Sequence, residues 1–412
     1  MDTVLLLRPT QSATVFLQQL GRGLRLASGK DCLTVLDFVG NGHAEFRSDL
    51  GLRAILGVSR RQLEKQIEAG FPLLPSGCTI SLDKQSRELI LDNLKRSLSL
   101  RHGRLIAEVR RLGPDASLRE VLEDLGTEIP EFYRGGRSLT DLRRGAGFAV
   151  ESGDHREDRL ARFIPRILHV DDPERLRTYR SFLRRQAVAD PGDGRGQRLL
   201  LMLATSLLGP EAALDPASCL DAFARNRAVS AEIADILDLL EEQIEHQSAG
   251  TRLPSEVPLR LHARYSRTEI MAAFGDVRGG GLYEPREGVY HHPDTKSDLL
   301  FVTIQKSEAD YSPSTLYEDY AISPEEFHWQ SQSTTRSGSE TGQRYIRHAA
   351  LGYTPYLFVR ERKESEYDHT QPYLFLGPVE YVGHEGDRPM SIRWRMGARI
   401  PADAYRGMRL TG

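Results

Sequence analysis

The sequence predicts a multidomain α+β protein: a partial α/β piece at the start, an all-helical middle and a β-rich, barrel-like C-terminal domain. Three observations carry this. Residues 1–44 alternate strand and helix signals, and helical periodicity then runs from about residue 45 to 275. Beyond Gly279-Gly280-Gly281 the texture becomes short strand-like runs between turns rich in Gly, Pro, Ser and Asp. At roughly 100–200 residues per domain, a chain of 412 residues holds two to four domains. The boundaries expected are 1–80, 81–278 and 279–412.

Val4–Leu7 is a short continuous apolar run, as in a parallel strand covered on both faces. Pro9 to Ser12 breaks it, and Ser12 or Thr14 can cap a helix over Val15–Leu26, where Phe16, Leu17, Leu20 and Leu24 recur at helical spacing. Gly29 stops that helix, and Leu33–Val39 reads as a second strand ending at Gly40-Asn41-Gly42. One β-α-β unit normally belongs to a larger parallel sheet, so a chain opening on it is expected to be a fragment or to complete its sheet with another chain. Helices are then expected at 45–56, 60–69, 84–98, 103–112, 117–124, 138–145, 157–165, 173–187, 195–208, 217–225, 229–246 and 266–274, with a turn-rich link over Asp190–Gly196. The C-terminal strands expected are Leu299–Ile304, Tyr345–Arg347, Tyr356–Arg360, Tyr373–Leu376, Val379–Val382 and Ile392–Met396, forming a barrel or a strongly curved sheet.

Composition narrows the function. Hydrophobic residues at 39% and charged residues at 27% are those of a globular protein, and no apolar run approaches the ~20 residues of a membrane helix. The N-terminus is too polar for a signal peptide, and Cys32, Cys78 and Cys219 lie too far apart for a disulfide framework or a zinc site, so a cytoplasmic protein without membrane or metal is expected. With a net charge of −3, any nucleic-acid affinity must come from local patches. Residues 51–111 form one such patch, with twelve Lys and Arg against six acids. A second basic stretch runs from Arg156 to Arg185.

The strongest motif is Gln18-Gln19-Leu20-Gly21-Arg22-Gly23-Leu24-Arg25, which fits Q-x-x-G-R-x-x-R. On a helix Gln18, Arg22 and Arg25 share one face, while Gly21 allows another backbone to come close. Two guanidinium groups on one face can clamp an anion, and phosphoryl transfer needs such permanent charge at the γ-phosphate. A solvated, Arg-rich helix is the plainer alternative.

With this motif on the helix of a strand–helix–strand unit, the chain resembles the second RecA-like domain of superfamily-two helicases, whose sixth signature motif has this form. Residues 1–80 look like the end of a type III restriction-subunit-like or DEAD/DEAH-type helicase domain. The remainder looks like the uncharacterised C-terminal extension of a bacterial subfamily, in which a phospholipase-D-like nuclease often precedes the motor. The resemblance implies that Arg22 is the arginine finger, Arg25 the motif's second arginine, Gln18 its polar partner at the nucleotide cleft and Gly21 structural. It implies ATP and Mg2+ as cofactors, and DNA as partner with RNA not distinguished. The sequence has no G-x-x-x-x-G-K-[ST] loop, the nearest Gly-Lys being Gly29-Lys30, and no D-E-x-[DH] motif. The nucleotide must therefore be held mainly by an N-terminal helicase half, in cis or in trans, and this chain alone should not hydrolyse ATP. The reading is the C-terminal part of an ATP-dependent helicase or translocase of restriction or defence type. The alternative is a non-enzymatic DNA-binding or modified-base-reading module with a vestigial helicase edge.

Weaker signals locate the nucleic-acid contact. Ser138 can cap a short helix that projects Arg143 and Arg144, and with Arg134 and Arg137 this makes 133–144 the most promising DNA-facing segment; a packed turn explains it nearly as well. Trp329, and Trp394 with Tyr373, offer faces for stacking a base, against the alternative that they fill the interior. Arg336 and the polar loop Ser333–Gly342 could wrap a phosphate or a modified base, although loops of this composition often do nothing specific. A nuclease would need Asp294 or Asp298 with Lys306 at a divalent metal, and a metal site would need His291, His292 and His328 together.

Overall fold

The computed structural model describes residues 3–6, 13–24, 32–37, 49–56, 58, 60–72, 74, 78–98, 102–125, 127–184, 194–244, 248–285, 287–305, 319–364 and 369–409. Two compact units divide the chain, Met1–Glu108 with Val121–Thr127 and Val109–Glu120 with Glu128–Gly412.

In the first unit β1 (Thr3–Leu6), α1 (Ala13–Gly23) and β2 (Thr34–Asp37) form the expected β-α-β element. The strands run parallel with Thr3 opposite Thr34 and Leu6 opposite Asp37. Leu6, Phe16 and Leu20 bury its small core, with Val4 and Val35 packed against them. The helices α2 (Asp49–Leu56), α3 (Arg60–Ala69) and α4 (Lys84–Leu98) enclose Leu63, Ile67, Phe71, Ile90 and Leu94. Next come α5 (His102–Leu112) and α6 (Leu118–Leu125).

The second unit continues with α7 (Ile129–Phe132), α8 (Leu139–Gly145), α9 (Glu157–Phe163), α10 (Pro173–Arg184), α11 (Gly194–Leu208), α12 (Pro216–Arg225) and α13 (Arg227–Glu242). The expected link at 190–193 lies outside the described residues. Every residue of α11 from Leu199 to Leu208 is buried. That apolar run is a helix wrapped on all sides, by α9, α10, α12 and the later α14 (Arg267–Phe274). Among the described residues no helix is long and apolar enough to cross a membrane.

The sheet region comprises β3 (Arg264–Tyr265), the hairpin β4 (Val277–Arg278) and β5 (Gly281–Leu282), then β6 (Val289–His292), β7 (Ser297–Thr303), β8 (Tyr320–Ser323) and β9 (Glu326–Gln330). It continues through α15 (Glu340–Ile346), α16 (His348–Leu351), β10 (Thr354–Arg360), β11 (Tyr373–Glu385), β12 (Ser391–Met396) and α17 (Ala402–Met408). The strand order is β6-β7-β10-β11-β12-β9-β8, with β3 also paired to β11. The expected barrel-like domain is thus an open mixed sheet with β6 and β8 at the two ends of that order. Its one parallel pair, β7 with β10, requires a long crossover, and that crossover carries β8, β9, α15 and α16. β11 turns the sheet: its first half pairs with β10 and its second with β12, across register shifts at Leu357/Phe358 and Tyr381/Gly383.

Residues Tyr345–Arg347, expected as a strand, lie at the end of α15 instead. Ser339 caps that helix by accepting from the Gly342 N–H, and Glu340 places negative charge in its first turn. One face of the sheet buries Leu300, Phe327, Trp329, Leu357, Ile392 and Trp394 with Tyr345 of α15. The other stacks Phe301, Phe358 and Phe375, with neighbouring ring centroids 5.5 and 4.8 Å apart.

Candidate nucleic-acid interface

Gln18, Gly21 and Arg22 are all exposed on α1, and no ion pair ties Arg22 to another described residue. Arg25 lies outside the described residues. The close approach expected at Gly21 falls at Gly23. A Cβ at Gly21 would meet nothing within 4 Å, whereas one at Gly23 would lie 2.9 Å from Leu33 Cδ1 and 3.0 Å from Val4 Cγ2. Gly23 is therefore the position at which α1 needs a bare backbone to pack on the strand pair.

The 133–144 segment is built as expected at its cap and differently at its tip. Ser138 accepts from the Asp141 N–H and starts α8. The N–H groups this cap leaves aimed outward, at Leu139 and Thr140, donate to the buried Glu232 carboxylate at 2.5 and 2.8 Å. Thr140 Oγ1 and the Tyr133 hydroxyl donate to the same carboxylate at 2.6 and 2.8 Å. The helix end that could have met a phosphate thus holds the protein's own anion. Arg137, Arg143 and Arg144 are committed too. Arg137 donates to the Arg134 and Glu131 carbonyls at 2.9 and 3.2 Å, and Arg143 to the Ala116 carbonyl at 2.6 Å. Arg144 pairs with Glu157 at 2.7 Å and reaches the Glu151 carbonyl at 2.8 Å. The Glu157 bond raises its pKa, whereas burial lowers that of Arg137. Arg134 is exposed. The contacts of Arg137, Arg143 and Arg144 are those of a packed turn.

Several arginines of the second basic stretch are likewise paired with acids. Arg156 pairs with Asp154 at 2.6 Å, Arg159 with Glu211 at 3.1 Å, and Arg180 with Asp238 and Glu241 at 2.5 and 2.7 Å. Arg175 is wholly buried between Glu269, at 2.8 Å, and Asp172, with its guanidinium 4.0 Å from the Tyr265 ring centroid.

Trp329 and Trp394 are interior residues. Trp329 is 3% exposed, its ring set against Tyr345 at 5.4 Å and Trp394 at 6.2 Å, so neither tryptophan offers a free face for a base. Tyr373 lies on the opposite side of the sheet, against Phe301. Arg336 is exposed, and its carbonyl accepts from Ser339. His291, His292 and His328 are not gathered: His328 stacks on Tyr320, and His292 Nδ1 accepts from the Thr295 N–H at 3.3 Å. Among the described residues no three His, Cys, Asp or Glu side chains could hold a metal ion together. The nuclease arrangement meets a specific obstacle, because Asp298 already accepts from Arg344 and His291; Lys306 lies outside the described residues.

Sequence reasoning missed two features of this region. A cleft of about 690 Å3 opens between β3, β11 and α17, lined by His262, Arg264, Leu374, Arg399, Ile400 and Tyr405. Its size suits a small molecule, yet Arg264 pairs with Asp171 and Arg399 with Glu325, both at 3.2 Å. The other feature is a polar cluster at the starts of β7 and β10. Asp298 on β7 is wholly buried and lies opposite His291 on β6. Arg344 of α15 places Nε 3.1 Å from both Asp298 oxygens, and His291 Nδ1 lies 3.2 Å from Oδ1. Tyr353, one residue before β10, sits beside them, its ring 5.2 Å from that of His291. The available signal was the acid itself: Asp298 opens an apolar run, and a carboxylate in a buried strand requires a cation.

In comparison with known families, the family described as Domain of unknown function (DUF3427) matches residues 259–408. That span runs from just before β3 to the end of α17 and contains both the cleft and the Asp298 cluster. No curated protein matches the chain.

Proposed function

We propose that the chain is the C-terminal part of an ATP-dependent nucleic-acid helicase or translocase of bacterial restriction or defence type, with residues 1–80 ending its second RecA-like domain. The observation that carries the reading is the placement of Gln18 and Arg22 on the exposed surface of a helix that joins two parallel strands. A guanidinium held there keeps its charge at every physiological pH and can donate two parallel N–H bonds to phosphate oxygens. Set against a γ-phosphate, it stabilises the charge that spreads over the equatorial oxygens as the phosphoryl group transfers, while Gln18 orients the same face. The phosphate loop and the acidic metal-binding motif are absent from the sequence, so ATP and Mg2+ are held mainly by the N-terminal motor half. This chain then contributes the finger and nucleic-acid contacts.

The test is DNA-stimulated ATP hydrolysis by the chain joined to its motor half, beside the 412-residue chain alone and an Arg22→Ala version of the joined protein. We expect turnover only in the joined protein and a loss of about 10³-fold in kcat on Arg22→Ala, the lower end of what arginine fingers contribute. Turnover unchanged in Arg22→Ala would refute the role of Arg22. Nucleic-acid binding without any restored turnover would leave the binding-module reading.

A further inference from the structure

We infer that Arg344, Lys296 and His291, grouped around Tyr353 at the starts of β7 and β10, bind a phosphodiester group of a nucleic-acid backbone. This rests on the nucleic-acid part of the function proposed above and names where the contact is made.

Hydrogen-bonding capacity supplies the first argument. Asp298 engages only Nε of Arg344, which leaves the two terminal nitrogens and their four N–H donors. No hydrogen bond joins them to another described residue, although the side chain is only 13% exposed. Other well-covered arginines differ: Arg175 commits NH1 to Glu269 and NH2 to the Arg264 carbonyl, Arg180 commits NH1 to two carboxylates, and Arg144 commits NH2 to Glu157. Arg344 is thus fixed in direction by a buried carboxylate while its fork stays open, which is the preorganised state that anion recognition favours.

Charge supplies the second. Lys296 is exposed at the tip of the β6–β7 hairpin with φ +48°, a left-handed backbone that lysine seldom adopts. Its Nζ lies 6.0 Å from the Tyr353 ring centroid, and the Arg344 Cζ lies 5.9 Å from the same centroid. Asp294, in the same turn, makes no ion pair with Lys296 among the described residues. Arg344 and His291 meet the one buried carboxylate of Asp298, and Lys296 brings a second permanent cation to the same tyrosine ring, so Arg344, Lys296 and Asp298 together hold one positive charge in excess. A monoanionic phosphodiester matches that excess, and the planar fork of Arg344 matches two of its oxygens.

The experiment is fluorescence anisotropy of the 412-residue chain with a single-stranded and a double-stranded oligonucleotide across a salt series. The variants are Lys296→Gln, Arg344→Met combined with Asp298→Asn, and the exposed Arg395→Gln as control. Lys296→Gln removes a surface charge only and tests the site even if the double variant fails to fold. We expect it to weaken binding about 3–10-fold irrespective of base sequence and to lower the slope of log K against log salt by about 0.7–0.9, one phosphate contact. Arg395→Gln should keep the wild-type slope. Wild-type affinity and slope in Lys296→Gln would overturn the site while leaving nucleic-acid binding intact. A wild-type chain that binds neither oligonucleotide would overturn the nucleic-acid reading itself, and this site with it.

Discussion

Replacing Glu269 by alanine should be among the most damaging single changes in the second unit. Glu269 does two things at once. As the third residue of α14 it completes a capping box, accepting from the Ser266 N–H at 2.9 Å while Ser266 accepts from its own N–H. Across the fold it receives Arg175 NH1 at 2.8 Å and lies 2.5 Å from His169 Nε2, so it ties α14 to α10 in a place with no access to water. Its removal leaves the wholly buried Arg175 with fewer counter-charges, a change that typically costs about 3–5 kcal/mol. The acid–base behaviour gives an independent measure. Burial alone would push the Glu269 carboxyl up, but His169, Arg175 and the Ser266 N–H outweigh it and bring the pKa from 4.5 down to about 2. At about 1.4 kcal/mol per tenfold change in equilibrium, that difference corresponds to roughly 3 kcal/mol. Because the folded pKa lies below the unfolded one, this stabilisation is complete above pH 4.5 and disappears as pH falls towards about 2. Thermal unfolding of the full chain at pH 7 should therefore show the second unit melting about 6–15 °C lower in Glu269→Ala. The gap to wild type should close on acidification through that window. A melting temperature within about 2 °C of wild type at pH 7, or a gap that persists unchanged at the acid end, would refute the assignment.

Gly342→Ala should destabilise the sheet region by about 1–3 kcal/mol in urea titration, because the new Cβ would lie 2.0 Å from the Arg336 carbonyl oxygen, a backbone atom that no rotamer change can move. Gly21→Ala should do the reverse in the first unit, gaining about 0.5–1 kcal/mol from a better helix former in open space; destabilisation there would mean that a close backbone contact exists at Gly21. Cys219 is buried and its thiol is pushed up to about 11, chiefly by burial, whereas Cys32 and Cys78 are exposed. A thiol reagent at pH 8 should accordingly modify two cysteines of the native chain, with the third reacting only in denaturant; simultaneous reaction of all three would contradict the packing of α12.

How far the sequence could be read depended on how far apart the interacting residues lie. The β-α-β element was legible because its signals are local: an apolar run, a breaker, a periodic helix and a second run within 44 residues. The α11 run was legible as too short for a membrane, and burial on every side explains why it is apolar but for Thr205 and Ser206, whose hydroxyls donate to the Leu201 and Met202 carbonyls. Tyr345–Arg347 was misread because three residues carry no periodicity, and the decisive signal, Ser339 as a cap, sits six residues upstream of Tyr345. The arginines of 133–144 were visible as charges, but their acceptors were not. Glu232 meets α8 from 92 residues further along the chain, a pairing that no local pattern encodes.

That separation changes what a basic stretch is worth as an indication of nucleic-acid binding. An arginine contributes to phosphate affinity through N–H donors that remain when its intramolecular acceptors are satisfied, and those acceptors are set by the tertiary fold. Around α8 the fold satisfies them: Glu232 holds the helix end, and carbonyls or Glu157 take Arg137, Arg143 and Arg144. A phosphate arriving there would have to displace partners that are always present at high effective concentration. Around Arg344 the fold does the opposite, using one buried carboxylate to aim the guanidinium and leaving its terminal nitrogens without an acceptor among the described residues. Phosphate contacts should therefore be sought where donors are left over, at the starts of β7 and β10 and on the outer face of α1, rather than where arginines are most numerous.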